Sequence, residues 1–338
     1  MSIINKIEQA CLIGRGGAGF PTHIKWRAVK KSSSADKYLI INGAEGEPGV
    51  YKDGHIIKND LDGLVNGIKI ASDYIKAKKI YFYLNSKYIE DYSVKIEKSF
   101  LKFGLKRKLE IIEKPKQVGY IGGEETTILN IIEGRRAEPR LKPPFPTVSG
   151  LFSKPTLINN IETLYNVNLL SLDNFSQQRF YSVNIGSRNV GVYHLPDNLS
   201  IKKVLQETGN LPDYDFFVQV GGDASGEVLN SGQLGRVVGG AGSITIHKLS
   251  EHQPVELITY YLSFFMNSSC GQCTPCREGT FRLLELFQKE KDLFKIEDSI
   301  KELVGALEDS SFCALGSSAG IAISSYFKNV YQKKYGKK

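Results

Sequence analysis

The sequence predicts an α/β protein built in three parts: a parallel-sheet domain over residues 1–174, a small α+β domain over 175–250, and a helical bundle over 251–338. Three observations predict it. Short apolar strands alternate with helical patterns through the first half, the signature of a parallel sheet with crossover helices. From Tyr181 the texture changes to short strands separated by glycine turns. From Gln253 the apolar spacing is helical to the end, and four cysteines fall at the breaks in that spacing.

A short helical lead precedes a glycine-rich run, Gly14-Arg15-Gly16-Gly17-Ala18-Gly19, followed by Phe20-Pro21-Thr22, where no helix start is evident. Tyr38-Leu39-Ile40-Ile41 reads as the first strand, Leu61–Ala71 as a helix, Lys79–Leu84 as the second strand and Leu109–Glu113 as the third. Gly122-Gly123-Glu124-Glu125-Thr126 opens a helix that runs to about Glu133. Pro139–Pro155 holds five of the twelve prolines and is therefore an ordered loop. Leu157–Leu170 carries a helical pattern. Tyr181–Ile185, Gly191–His194, Phe216–Val220 and Ser243–His247 read as strands of the middle domain. The final helices break at Ser268–Pro275, Lys291–Ile296 and Ser310–Ser317.

The 338 residues are 41% hydrophobic and 24% charged, ordinary globular composition with length for two or three packed units. Apolar runs such as Tyr260–Met266 stop well short of the ~20 residues of a membrane span. The opening Met1–Glu8 lacks the cationic lead and apolar core of a signal peptide, and the expectation is a cytoplasmic location. The formal charge of +8 comes from scattered lysines. They read as solvated side chains or as a docking surface for an acidic redox partner, and without a recognition motif they do not imply nucleic-acid binding. The histidines at 23, 55, 194, 247 and 252 form no ligand pair, and no Ser-His-Asp arrangement is visible.

Cys270-x-x-Cys273-x-x-Cys276 with Cys313 following 37 positions later is the strongest chemical signal. Three thiolates on one tight loop can hold three corners of a cubane, and a distant fourth closes it. Four thiolates suit iron–sulfur or zinc, but a structural zinc site usually comes as two paired knuckles rather than three plus one. Cys11 reads as a small buried residue with no role assigned.

The glycine run matches G-x-G-x-x-G by letter, but it follows a helical lead rather than a strand, so it is not a dinucleotide fingerprint. Its backbone can approach a flat ring or a phosphate closely, with Arg15 or Lys25 supplying charge, and a loop turn without a ligand fits the same letters. Asn42-Gly43-Ala44-Glu45-Gly46-Glu47-Pro48-Gly49 follows the first strand, at the carboxyl end where an α/β sheet binds its ligand. Glu124 and Glu125 head the next helix, where acids are also favoured simply as helix caps.

Together these segments resemble the NADH-binding flavoprotein subunit of respiratory complex I and the related subunits of NAD-linked hydrogenases and formate dehydrogenases. The resemblance rests on GRGGAGFPT (Gly14–Thr22), EPG (Glu47–Gly49), YIGGEET (Tyr120–Thr126), RLKPPFP (Arg140–Pro146), INNIETL (Ile158–Leu164), SCGQCTPCREG (Ser269–Gly279) and SFC (Ser311–Cys313), in that order. It implies a Rossmann-like FMN domain, a ubiquitin-like middle domain and a helical bundle holding a [4Fe-4S] cluster. By matching positions, FMN would lie against Gly14, Arg15, Gly16, Gly17, Lys25, Asn42, Glu45, Tyr120, Gly123, Glu124, Asn159 and Asn160. NADH would meet Phe20, Glu47, Glu125, Lys142 and Phe145, with Glu47 and Glu125 assisting a reaction whose chemistry belongs to the flavin. Cys270, Cys273, Cys276 and Cys313 would hold the cluster. The implied activity is hydride transfer between nicotinamide and FMN, with single electrons leaving through the cluster. The implied partners are a small thioredoxin-like [2Fe-2S] subunit and a ferredoxin-type iron–sulfur subunit of a larger complex.

The chain departs from the family pattern at three positions: Ala44 stands where an aspartate is usual, Gly122 where a cysteine is usual, and Ala28 where an aromatic is expected beside the adenine, with Trp26 close by. On Ala44 and Ala28 a second reading stays open, an electron-transfer and docking subunit that keeps the cluster but does not turn over nucleotide.

Overall fold

A computed structural model describes residues 1–251 and 253–336, which leaves His252 outside the described residues. The chain divides into two compact units. The first comprises Met1–Gly46, Tyr51–Val118 and Gly122–Gln178, and the second Glu47–Val50, Gly119–Ile121 and everything from Arg179 onward.

The first unit is built on four parallel strands, β1 (Tyr38–Gly43), β2 (Lys79–Leu84), β3 (Leu109–Glu113) and β4 (Thr156–Asn160), in the order β3-β2-β1-β4. Its helices are α1 (Ile3–Gln9), α2 (Thr22–Lys31), α3 (Lys52–Asn59), α4 (Leu61–Ile75), α5 (Ser86–Lys102), α6 (Glu125–Ile132), the short α7 (Pro146–Ser149) and α8 (Ile161–Ser171). Strand alternation sorts the side chains. Tyr38, Ile40, Tyr81, Tyr83 and Ile158 pack on one face with Ile128 and Leu129 of α6. The intervening Leu39, Ile41 and Phe82 are equally buried, and the Phe82 ring lies 6.1 Å from Phe100 of α5. Burial on both faces explains why these strands read as continuous apolar runs. The α/β expectation holds.

Three local readings change. Residues 157–160, expected as the start of a helix, extend instead as part of β4 in register with β1, from Tyr38 opposite Thr156 to Asn42 opposite Asn160. A short apolar run has no period of its own, and pairing with the strand beside it decides its state. The helix begins only at Ile161, where the Asn160 side chain caps it by accepting from the Glu162 N–H. The glycine run, expected to lead into no helix, leads directly into α2 at Thr22, with Pro21 as the preceding cap residue. Cys11, expected to be buried, is exposed, because it forms the tight turn that closes α1 with a φ of 48°.

The second unit holds a five-stranded sheet of β5 (Gln178–Ile185), β6 (Arg188–Pro196), β7 (Phe216–Val220), β8 (Glu227–Asn230) and β9 (Ser243–Lys248), in the order β6-β5-β9-β7-β8. Helix α9 (Ile201–Glu207) seals one face through Ile201, Val204 and Leu205. β9 runs parallel to β5 and antiparallel to β7. His194 and His247 stack on Phe180 and Phe217, so both serve as aromatic packing. The helices that follow are α10 (Pro254–Ser268), α11 (Thr274–Lys289), α12 (Glu297–Ser310), α13 (Ala314–Ser318), α14 (Ile321–Tyr326) and α15 (Gln332–Tyr335), with a π turn at Phe327–Tyr331 between the last two. The outer edge of β8 is covered by side chains: the Val228 N–H donates to Ser325 Oγ at 2.9 Å and its carbonyl accepts from Asn329 Nδ2 at 2.8 Å. Among the described residues no helix is long and apolar enough to cross a membrane.

Candidate functional site

In the first unit the predicted binding residues gather at the carboxyl end of the parallel sheet. The glycine run is a loop closed at its neck, where the Gly14 N–H donates to the Phe20 carbonyl and the Thr22 N–H to that of Leu12. Gly17 and Gly19 turn it with φ values of 109° and 65°, which suit glycine. The loop is anchored to the sheet end: the Arg15 N–H donates to Thr163 Oγ1 at 2.9 Å, and Gly16 packs against the Asn160 side chain. Asn42 donates from its amide to the Gly123 carbonyl at 2.9 Å, tying the end of β1 to the segment that leads into α6. Asn159 accepts from the Trp26 indole at 2.9 Å. Trp26 is fully buried, so it offers no ring face to a nucleotide in place of the aromatic missing at Ala28.

Four charged side chains alternate in sign beside this loop. Lys25 Nζ reaches Glu125 Oε2 at 2.8 Å, and Lys142 Nζ lies 3.5 Å from the other oxygen of Glu125 and 2.9 Å from Glu124 Oε1. Burial raises the proton affinity of Glu125, but the two lysines outweigh it and hold the carboxyl below the ordinary range. Burial likewise disfavours the Lys142 ammonium, and the two glutamates reverse the effect. Glu124 is also the N-cap of α6: its Oε2 accepts from the N–H and hydroxyl groups of both Thr126 and Thr127. Phe20 and Phe145 are 51% and 54% exposed, large aromatic faces open to stacking.

Glu45 and Asn160, both half-buried, are hydrogen-bonded within the first unit. Glu45 accepts from the Asp53 N–H at 2.9 Å, from the Gly54 N–H at 3.3 Å and from the Tyr88 hydroxyl, so it caps α3 from a distance. Asn160 accepts from Lys52 at 3.0 Å and donates to Asp53 at 2.7 Å. Lys52, Asp53 and Glu162 escaped sequence reasoning, since an adjacent Lys-Asp pair reads as solvated surface. Ala44 sits in the apolar cluster of β1, β2 and α6, which has no place for an unpaired carboxylate. A Cβ at Gly122 would lie 3.0 Å from side-chain carbons of both Lys114 and Val118, leaving little room for a cysteine.

Glu47 and Tyr120 belong to the second unit. Glu47 Oε1 accepts from the Ala224 N–H, the Ser225 N–H and the Ser225 hydroxyl at 3.0–3.1 Å. The Asp223 N–H donates to the Pro48 carbonyl and Asn184 to that of Gly49, so the whole Glu47-Pro48-Gly49 turn is gripped. Burial pushes the Tyr120 hydroxyl well above its usual range, and Glu47, to which it donates, adds to the shift.

The four cysteines sit where three helices begin or end. Cys270 lies in the turn after α10, Cys273 caps α11, Cys276 is in its first turn and Cys313 caps α13. A Cβ at Gly316 would stand 3.0 Å from Cys276 Cβ and overlap the Ser311 hydroxyl, so glycine there lets the Cys313 segment close on Cys276. Burial pushes the Cys276 thiol up to about 11, the Ser269 hydroxyl opposes this, and Cys273, Cys313 and Cys270 add to it, so the other three sulfurs lie near enough to Cys276 to repel its thiolate. Among the described residues no three His, Cys, Asp or Glu side chains are arranged to hold one metal ion. A cubane asks for less crowding, because each of its irons takes one thiolate. The donor set fits such a cluster, whose positive irons would displace the thiol protons.

Comparisons with known proteins agree with this geometry. The profile described as Nuo51 FMN-binding domain matches residues 7–169, and that of the NADH-ubiquinone oxidoreductase-F iron-sulfur binding region matches 256–337. An F-type NADH-quinone oxidoreductase chain of Rhizobium meliloti is 33% identical over 97% of this chain and 86% of its own. The chain belongs to the F-type family of NADH-quinone oxidoreductase chains. The Aquifex aeolicus member of this family is 32% identical over 94% of the chain and 82% of its own length. The crystal structure of an NAD+-reducing [NiFe]-hydrogenase in the H2-reduced state superposes with a TM-score of 0.87 at 28% identity, covering 98% of this chain and 62% of that one. FMN and a [4Fe-4S] cluster are the cofactors of the family's two regions, and both regions are present here.

Proposed function

We propose that this chain is the flavoprotein subunit of a multi-subunit oxidoreductase, exchanging hydride between NAD(H) and FMN and passing single electrons through a [4Fe-4S] cluster. The observation that carries the reading is the pairing, in one chain, of a flavin-binding region at 7–169 with a four-thiol set inside an iron–sulfur region at 256–337. When bound, the flavin supplies two-electron chemistry and the cluster one-electron chemistry.

In this reading the residues at the sheet end bind and orient. The Gly14–Gly19 loop, closed at its neck, and Arg15, Lys25, Asn42, Glu45, Gly123, Glu124, Asn159 and Asn160 form the flavin cradle of the first unit, and Tyr120 of the second unit is assigned to the flavin by its place in the family motif. Phe20 and Phe145 stack on the nucleotide, while Glu125, held ionised between Lys25 and Lys142, meets its ribose and Glu47 assists. Cys270, Cys273, Cys276 and Cys313 ligate the cluster. Residues 1–174, 175–250 and 251–338 act as flavin, ubiquitin-like and cluster modules. The partners are a thioredoxin-like [2Fe-2S] subunit and a ferredoxin-type iron–sulfur subunit, and the location is the cytoplasm.

The test is spectroscopic. Denaturing the purified protein should release one FMN per chain, and NADH should bleach the bound-flavin spectrum. A protein that neither contains flavin nor can be reconstituted with it overturns this function; bound flavin that NADH never bleaches leaves the docking and electron-transfer subunit as the reading.

A further inference from the structure

At the carboxyl end of the parallel sheet, across β1 from the glycine run, one lysine lies over two glycines. Lys114 follows β3, and its N–H donates to the Leu84 carbonyl at 2.7 Å, extending the pairing of β3 with β2. Ile112 packs against the cluster of β1, β2 and α6, and strand alternation turns Lys114 to the same face. The next residue, Pro115, keeps Lys114 extended. The lysine stem passes Gly122, where a Cβ would stand 3.2 Å from Cγ and 3.0 Å from Cδ. The ammonium ends at Gly46, where a Cβ would stand 3.2 Å from Nζ and 3.3 Å from the Ala44 carbonyl oxygen. Both glycines lie in the first unit with Lys114, and together they leave a track for its side chain.

Two departures from the family pattern meet here. A cysteine at Gly122 would press the Lys114 stem aside, so this glycine and this lysine belong together. At Ala44, where an aspartate is usual, the chain carries no acid, and the Lys114 ammonium approaches the same turn. Lys114 is half-buried, and a charge partly shielded from water acts on a neighbouring ligand through a lower dielectric than a surface lysine does. The sheet order β3-β2-β1-β4 separates this ammonium from the glycine run, which is anchored beside β4 at Thr163 and Asn160. Backbone N–H groups, Arg15 and the head of α8 give that side the character of a phosphate site. The ring end of a flavin nucleotide then belongs on the Lys114 side.

We propose that Lys114 sets the potential of the flavin: its ammonium, laid over Gly122 and ending at Gly46, favours the reduced ring, which is richer in negative charge, over the oxidised one. The proposal rests on the flavin reading and deepens it. An oxidised flavin ring has no net charge, so Lys114 contributes little to holding it and acts mainly on the reduced form. Relative to a chain with aspartate at position 44 and a neutral residue at 114, two changes of charge act in the same direction. Burial disfavours the Lys114 ammonium, and the glycine track nevertheless holds it at the sheet end.

The experiment is a redox titration of the full chain loaded with FMN. Lys114→Met keeps the stem and removes the charge. It should weaken binding of the reduced flavin, relative to the oxidised, about tenfold, which lowers the two-electron potential by ~30 mV. Lys114→Arg should restore most of the fall. Gly122→Ala leaves the charge but crowds the stem, so it should lower the potential by less, and the double variant no further than Lys114→Met alone. Trp26 fluorescence in urea shows that each chain is folded, and Lys114→Gln replaces Lys114→Met if the latter is not. A potential unchanged by loss of the charge overturns the proposal. So does a fall that Lys114→Arg does not reverse, since shape would then be at work, or two falls that simply add, which would separate Gly122 from Lys114. A parent chain that cannot be loaded with FMN overturns the flavin reading itself, an outcome distinct from loaded variants that keep the parent potential.

Discussion

Replacing Glu124 by alanine separates its structural part from any direct contact with a ligand. The substitution takes from the head of α6 the one oxygen that accepts from the N–H groups of Thr126 and Thr127, at 2.9 and 2.8 Å, and from both threonine hydroxyls. Loss of an N-cap costs about 0.5–2 kcal/mol. The hydroxyls can turn elsewhere. The ion pair with Lys142 adds little, since that ammonium is one-third exposed and such pairs contribute ~0–1 kcal/mol. The expected loss is therefore about 2 kcal/mol. Trp26, the single tryptophan, is buried in the first unit, so its fluorescence in urea reports unfolding of the unit that carries α6. Glu124→Asp should recover all but ~0.5 kcal/mol, because aspartate is a strong cap, although it is too short to keep Lys142. If Glu124 acts through the cap, FMN affinity measured by flavin fluorescence follows stability across the series. An aspartate variant that regains the urea midpoint but not the flavin would refute the argument, as would an alanine variant within ~0.5 kcal/mol of the parent.

Three further outcomes are expected. Glu125→Ala leaves Lys25 and Lys142 without the carboxylate between them, so the NADPH-to-NADH ratio of kcat/KM should rise about tenfold or more, ~1.4 kcal/mol; equal use of both nucleotides by the unmodified protein would contradict the assigned role. Cys313→Ser should retain flavin and its bleaching by NADH, and still reduce a small dye, while the paramagnetic signal of a reduced [4Fe-4S] cluster weakens or vanishes and transfer to partner subunits fails; normal transfer without the signal would show that electrons leave another way. Lys52→Met removes the ammonium from Asp53 and Glu162 and should cost about 3–5 kcal/mol in the Trp26 urea transition, a penalty that shrinks on acidification as the carboxyls protonate.

The parallel sheet and the cysteine set were legible because each has a strong local signature. β1 and β2 are apolar runs covered on both faces, and the thiols have a spacing that few other roles explain. β4 was not legible, since Thr156–Asn160 becomes a strand only by pairing with β1, and Leu157, Ile158, Ile161 and Leu164 keep a helical spacing across its junction with α8. The Lys52–Asp53–Glu162 group was hidden for a different reason. Glu162 lies more than 100 positions from the other two, and each member has the letters of a solvated surface until the fold closes over it. Glu124 shows the limit of reading by residue type, because one carboxylate can satisfy a helix end and face a ligand from the same position.

The covering of β8 has a consequence for anyone who would excise parts of this protein. A fragment ending after β9 would look like a finished small domain, with its own sheet, helix and core. It would nevertheless lose Ser325 and Asn329, the two side chains that occupy the outward N–H and carbonyl of Val228. A bare strand edge recruits whatever extended chain it meets, most readily another copy of itself. Such a fragment would be adhesive rather than inert, and a soluble cut needs either the last helices retained or a charge set into β8 to take their place.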